Sequence, residues 1–366
     1  MAEKHVNYAD LGLSKLNALR VIIVMVIALG YASTMPLGPL DGDGNPNSEV
    51  FSMLGYDPSW VGISLLFFYS GMLSLRSLWR HGSSRKYLES RFSRNIPILA
   101  VITLIIVALV YPIFGTPAPT FSENLLRLGQ YFIGTVSCVW AGKPLPGLMD
   151  EAQYMCLVQG AVWTFTWGAA AHIATAFSHQ LRLLDRRAFI ALFAILSVLF
   201  YLIFVQLTVR DIAILPAGAE PGPRLAWPFL TGMAVYAYWD KLPKSISANL
   251  AISAAFFGTA ILHKFGPFPW TGAIELFLIS GWAWLGLTLL RLKPDQMRFL
   301  NDWAPIAVAI YLINWPTSQI LLLMFPALSP WTLIALSLPI SLVLAYFAHM
   351  LITRHTYHFA DRRLLA

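Results

Sequence analysis

Charge is what this 366-residue chain has least of. Asp, Glu, Lys and Arg make up 12% of it, about half of the roughly 25% found in soluble domains. That shortage leaves no room for a large soluble domain. Cysteine is nearly absent too. Cys138 and Cys156, with 17 residues between them, can pair in an oxidising compartment, but two cysteines alone leave the pairing open. No H-E-x-x-H, C-x-x-C, Walker or dinucleotide pattern occurs, which removes the soluble metal and nucleotide enzymes those patterns mark. No internal repeat or low-complexity tract is visible, and that argues against a transporter built from two inverted halves. The acidic stretch GPLDGDGNPN lacks the closing glutamate and flanking helices of an EF-hand, so it is turn chemistry rather than a calcium loop.

What is present is apolar. Hydrophobic residues make up 57% of the chain, and the mean hydropathy is +0.64. Apolar runs near twenty residues recur from end to end, the mark of an all-α, multi-span membrane protein. The pattern predicts ten spans, at 18–36, 60–79, 96–114, 157–178, 188–208, 224–240, 246–263, 271–290, 303–325 and 331–352. A shorter run from Leu128 to Ala141 lies between Arg127 and Lys143. At 14 residues it is too short to cross and reads as re-entrant or interfacial. Charge decides the point. If that segment does not cross and the N-terminus is cytoplasmic, 20 of the 25 Lys and Arg fall inside, and only Arg127, Lys143, Arg210, Arg224 and Lys264 fall outside. If it crossed, Arg182, Arg186, Arg187 and the basic C-terminal tail would lie outside. Both termini are therefore expected in the cytoplasm, and the whole of 1–366 is expected to form one transmembrane domain. The net charge of +7 and pI near 9.4 follow from basic inner loops, so no nucleic-acid partner is expected. The first apolar run is expected to stay in the mature protein as a helix, not to be removed as a signal peptide.

Few ionisable residues fall within the spans, and each is costly there, at about 2.5–3.5 kcal/mol at the bilayer centre. Arg20 opens the first span. Tyr31 follows eleven residues later, which puts the two on one helix face about 16 Å apart. Glu275 lies one turn into the span 271–290 from outside, and Arg224, opening the span 224–240 on the same side, is its expected partner. The two readings of Glu275, structural ion pair and substrate-facing acid, stand together. His172, in the inner half of its span, is either a proton carrier or an imidazole bonded to a neighbouring helix. His349 reads as interfacial. The inner segment RSLWRHGSSRKYLESRFSRNIP crowds Arg76, Arg80, Arg85, Lys86, Arg91 and Arg94 together. It sets topology and touches anionic lipid headgroups, or it grips the phosphates of a cytosolic polyanion. The aromatics of WTFTW, Trp163 to Trp167, belong to an interfacial belt or line a sugar-stacking wall.

LNALR with Tyr31, then GISLLFFYSGM (Gly62 to Met72), RFSRNIP (Arg91 to Pro97), WTF (Trp163 to Phe165), FLTGM (Phe229 to Met233) and IYLINWP (Ile310 to Pro316) occur in order along nearly the whole chain. Together they resemble the bacterial acyltransferase-3 family, integral membrane enzymes that O-acylate cell-envelope glycans and other acceptors from cytosolic acyl-CoA. The resemblance implies an inner-membrane location and acyl-CoA, most simply acetyl-CoA, as donor substrate. It implies an envelope glycan or lipid as acceptor, and no metal. It also implies that Arg20 and the first-span face carry chemistry. The family's Arg-x10-His motif has Tyr31 at its histidine. The Trp-Thr-Leu-x-x-Glu acid falls at Gly168, and the Tyr-Leu-x-His-x-Pro histidine at Asn314. None of the three titrates near neutrality, and a tyrosine with a pKa near 10 is a poor base.

Two readings of function follow. In the first, an active O-acyltransferase holds acyl-CoA with Arg76, Arg91 and Arg94 and uses Arg20, Tyr31, His172 and Glu275 in transfer. In the second, a catalytically silent relative keeps the fold for binding, translocation or complex formation. An unrelated small-solute transporter has only the multi-span topology in its favour.

Overall fold

A computed structural model describes residues 13–37, 57–139, 144–150, 157–210, 212, 214–216, 219–266, 270–291, 300 and 303–364. Among them the chain is helical, with no strand beyond an isolated bridge between Gly115 and Leu148. The helices are α1 (Leu13–Thr34), α2 (Pro58–His81), α3 (Ser84–Phe114), α4 (Phe121–Val136), α5 (Trp163–Gln180), α6 (Arg187–Thr208), α7 (Pro221–Ala237), α8 (Ile246–Phe265), α9 (Thr271–Leu289), α10 (Ala307–Met324) and α11 (Pro330–Leu364). Helices are the expected answer in lipid, where each backbone N–H and C=O must find its partner within its own segment. Eight of them are long and apolar enough to cross a membrane: α1, α2, α3, α6, α8, α9, α10 and α11. The remaining two expected spans are the shorter helices α5 and α7, of 18 and 17 residues. Leu192, Ile195, Leu199 and Ile203 on α6, and Val343, Phe347 and Leu351 on α11, are exposed. Their solvent is hydrocarbon.

Two expectations are revised. The basic segment expected as an inner loop is not a loop but helix on both sides of a two-residue break. Helix α2 runs on to His81 and α3 begins at Ser84. Gly82 adopts φ +60° and donates its N–H to the Leu78 carbonyl at 2.9 Å, ending α2 in the left-handed conformation glycine tolerates. The short run expected outside begins earlier than 128, as the helix α4, whose cap Thr120 accepts from the Glu123 N–H at 3.3 Å. Phe121, Leu125, Leu126 and Ile133 stay exposed while Tyr131 and Thr135 are buried, the two-faced pattern of a helix lying along an interface. Lys143, Cys156 and the acidic residues Asp41, Asp43 and Glu49 lie outside the described residues, and with them the Cys138–Cys156 pairing and the first outer loop.

The chain divides into two compact units. The first comprises residues 1–23, 63–88 and 170–302. Its core forms where α6, α7 and α9 meet, around Tyr201, Trp227 and Ile279. Helices α2 and α7 cross backbone to backbone: a Cβ on Gly71 would collide with the Phe229 carbonyl, and one on Gly232 with the Phe68 carbonyl. Small residues permit that approach. The Tyr69 hydroxyl donates to the Ala283 carbonyl at 2.8 Å and ties α2 to α9. The second unit comprises residues 24–62, 89–169 and 303–366, with α10 packed on α11.

Candidate functional site

Helix α1 carries both residues of the first-span pattern. Arg20 is half-buried near its N-terminal end, and Tyr31 is buried eleven residues on. The unbroken α-helix from Leu13 to Thr34 places them on one face about 16 Å apart, as the spacing requires.

In the second unit, Tyr31 sits in an aromatic setting assembled from several segments. Its ring meets Trp315 edge-on at 4.8 Å. Trp315 is fixed by its indole N–H, which donates to the Leu157 carbonyl at 2.8 Å, and Gln319 donates to the same oxygen at 2.9 Å. Gly160 lies flush against the Trp315 ring, leaving no room for a Cβ. One turn before Asn314 on α10, the Tyr311 hydroxyl donates to the Ala161 carbonyl at 2.9 Å and lies 2.8 Å from the Thr164 hydroxyl. Trp163, the first residue of WTFTW, stacks on Trp60 with rings 6.1 Å apart and 6° from parallel. The hydroxyl of Tyr31 is buried. The Tyr311 hydroxyl, the Trp163 indole and the Asp57 carboxylate are its polar neighbours.

Asp57 is the residue that sequence reasoning passed over. It caps α2, accepting from the Ser59 N–H at 2.9 Å and the Ser59 hydroxyl at 2.8 Å. The signal was in the text: an aspartate immediately before a proline that opens a helix.

Gly168 lies on α5, and a Cβ built there meets nothing within 4 Å. Asn314 is buried on α10. The three positions expected to stand where the family pattern has its proton-handling groups, Tyr31, Gly168 and Asn314, all fall in the second unit.

His172 and Glu275 belong to the first unit and occupy separate settings there. The His172 Nδ1 lies 2.8 Å from the Tyr87 hydroxyl and 3.3 Å from the Ser74 hydroxyl, and Phe229 packs edge-on at 6.0 Å. Two turns along α5, His179 meets the Ser84 hydroxyl at 3.0 Å. An imidazole with hydroxyls at one nitrogen can accept a proton there or pass one between them. Glu275, 3% exposed, is gripped by Arg224 through two hydrogen bonds of 2.7 and 3.2 Å. The structure thus makes the expected pair.

Of the basic residues, Arg76 is half-buried on α2, with one terminal nitrogen enclosed and without a hydrogen-bond partner. Arg91 is half-buried and Arg94 exposed in the first three turns of α3. Arg76 lies in the first unit, and Arg91 and Arg94 in the second. Beyond the spans, burial pushes the Tyr131 phenol and the Cys138 thiol up. It holds the Arg291 guanidinium down, over the Trp239 ring at 5.1 Å.

Long apolar helices from end to end, eight of them able to cross a membrane among the described residues, define a multi-pass helical membrane protein. The family model described as acyltransferase domain, the acyltransferase-3 family, matches residues 13–350, and the chain belongs to that family. No curated protein and no solved structure matches the chain.

Proposed function

We propose that the protein transfers an acyl group, most simply acetyl, from cytosolic acyl-CoA to a hydroxyl of a cell-envelope glycan or lipid, in a bacterial inner membrane. The observation that carries this reading is the family match over 13–350, with Arg20 retained at the inner end of an unbroken α1. In the reaction the thioester C–S bond breaks and an ester C–O bond forms. The acceptor hydroxyl gives up its proton, and the departing thiolate takes one. Arg76, Arg91 and Arg94 suit the donor's phosphates, because guanidinium forks bind phosphate oxygens in pairs. Arg20 suits charge developing on the thioester oxygen.

The proton needs an acceptor, and a positioned base contributes about 10²–10⁴-fold. Tyr31 is not that base. Its buried hydroxyl, with the Tyr311 hydroxyl, the Trp163 indole and the Asp57 carboxylate as neighbours, suits orienting an acceptor hydroxyl beside the Trp60–Trp163 wall, and His172 is the imidazole we assign to hold a proton. Glu275, engaged by Arg224, supports the fold in this reading.

The motif resemblance supports a second reading, a catalytically silent relative, because it sets Tyr31, Gly168 and Asn314 at the family's three proton-handling positions. One experiment separates the two. Membranes containing the protein are given labelled acetyl-CoA, beside membranes containing Arg20→Ala, and label is counted in the lipid and glycan fractions. Arg20-dependent label supports transfer. Absence of label across acetyl and longer acyl donors, with labelled acyl-CoA still bound, supports the silent relative.

A further inference from the structure

We propose that the seam between α10 and α11 holds a structural water at mid-span, bound by Asn314, Ser318 and Ser337. Several serines and threonines in the bundle return their hydroxyl to a carbonyl of their own helix, although Ser64, Thr166 and Thr231 also lack a hydrogen bond. Ser33 bonds Gly30 at 2.8 Å, Thr103 bonds Leu99 at 2.7 Å, Thr208 bonds Phe204 at 2.9 Å and Thr288 bonds Trp284 at 3.0 Å. Ser318 and Ser337 do not. Both are wholly buried, and each Oγ lacks a hydrogen bond. Asn314, also wholly buried, spends its amide N–H on a long 3.4 Å bond to the Ser341 hydroxyl, and its Oδ1 accepts nothing.

The register of the two helices sets these atoms near one another. Helices α10 and α11 form a hairpin joined by residues 325–329 and pack along their length. The Asn314–Ser341 bond fixes their antiparallel register, which sets Ser318 against Ser337 one turn away. One turn of four residues is about 6 Å, twice a hydrogen-bond length, so a single oxygen midway reaches both levels. On α11 the buried row Leu333, Ser337, Ser341, Ala345 and Ala348 shows that both serines point into the seam. The same register sets Pro316 level with Pro339, so each helix also forgoes one backbone hydrogen bond there. Ordered water is one of the ways such places are satisfied within a membrane.

The chemistry selects water over an ion. Residues 307–324 contain no charged side chain, and residues 330–351 contain only His349, near the inner end. A cation on this neutral oxygen set would be uncompensated within the seam. Water donates twice and accepts twice, which suits an acceptor amide oxygen and two hydroxyls, and it also suits the amide turned over. Two to four polar partners are what a buried water requires.

The test uses the full chain in lipid nanodiscs, with X-ray radiolytic labelling in H2(18)O read by mass spectrometry. Bound water is expected to label the peptides spanning 314–318 and 337–341 despite their burial, and Ser318→Ala with Ser337→Ala is expected to cut that label about threefold or more. An unlabelled seam in the unaltered protein overturns the proposal, whether or not the variant folds. Thermal unfolding gives a second sign. Removing hydroxyls that bind water lowers Tm, whereas removing hydroxyls from a dry seam raises it. A rise in Tm on exchanging choline for sodium, lost in the double variant, would assign a cation and overturn water.

Discussion

Arg224 and Glu275, 51 residues apart in sequence, form a two-point ion pair between α7 and α9, with the carboxylate buried and a third of the arginine open. Removing one partner of a buried pair strands the other. Arg224→Met leaves Glu275 charged in an apolar setting and is expected to cost about 2–3 kcal/mol, below the 3–5 of a fully enclosed pair because Arg224 is partly open. Glu275→Gln is expected to cost less, since the arginine can turn outward. The pair Arg224→Met with Glu275→Leu is expected to recover most of the loss. Thermal unfolding of the four proteins in detergent checks the order, and equal losses from both single variants would contradict it.

The sequence carried this pair because charge inside an apolar run stands out. It carried the spans for the same reason, since runs of nineteen or more apolar residues have few other uses. It misled at the inner basic segment, where arginine, lysine and glutamate are good helix formers and only Gly82 and Ser83 interrupt the helix. The cap of α4 was readable, because Thr120 and Glu123 have the capping-box spacing. The setting of Tyr31 was not. Its neighbours Trp315, Tyr311 and Asp57 come from distant segments, and no local pattern reports a contact made by folding. The same holds for His172, whose hydroxyl partners Ser74 and Tyr87 lie 98 and 85 residues away.

Close helix crossing gives a second prediction. Gly71 and Gly232 each face a backbone carbonyl, which cannot move aside as a side chain can. Gly71→Ala and Gly232→Ala are each expected to cost about 1–3 kcal/mol. Gly168→Ala, whose Cβ meets open space, is expected to be neutral or slightly stabilising. Comparing the three by fluorescence-monitored unfolding separates crowding from any general intolerance of alanine.

The His172 cluster can be weighed by a double-mutant cycle. Tyr87→Phe removes the 2.8 Å bond to Nδ1 and is expected to cost about 1 kcal/mol. His172→Leu deprives both the Tyr87 and Ser74 hydroxyls of that nitrogen and is expected to cost about 2–3 kcal/mol. The two losses should not add, because they share a bond. Strict additivity in thermal unfolding would mean that the hydroxyl and the imidazole act independently.

Cys138 supplies a pH prediction. Burial pushes its thiol above the ordinary cysteine range, so the folded state holds the proton more tightly than the unfolded chain. The stability this confers is fully present below the unfolded pKa and is lost as pH rises through the folded one. The thiolate is the reactive form, so alkylation at Cys138 should be slow at pH 7 and rise with pH until past 9. Iodoacetamide labelling resolved by peptide mass spectrometry reads this site by itself. A rate already flat at pH 7 would show an ordinary or depressed thiol.

Supplying the groups expected of the family pattern tests the proposed chemistry most directly. Tyr31, Gly168 and Asn314 lie in one unit, and Gly168 has open space for a longer side chain. If the unaltered protein transfers acyl groups slowly for want of a base, Tyr31→His should raise the rate, by an amount approaching the roughly 10²–10⁴-fold of a positioned base only when Gly168→Glu and Asn314→His accompany it. Two further features give the result its meaning. Tyr31 packs edge-on against Trp315, so Tyr31→Phe keeps the packing and separates a steric loss from a chemical gain. The proposed reaction needs Arg20 in every version, so adding Arg20→Ala is expected to abolish whatever activity the triple variant gains. A triple variant that folds, binds acyl-CoA and shows no Arg20-dependent transfer would place the deficit outside these three positions and favour the silent relative.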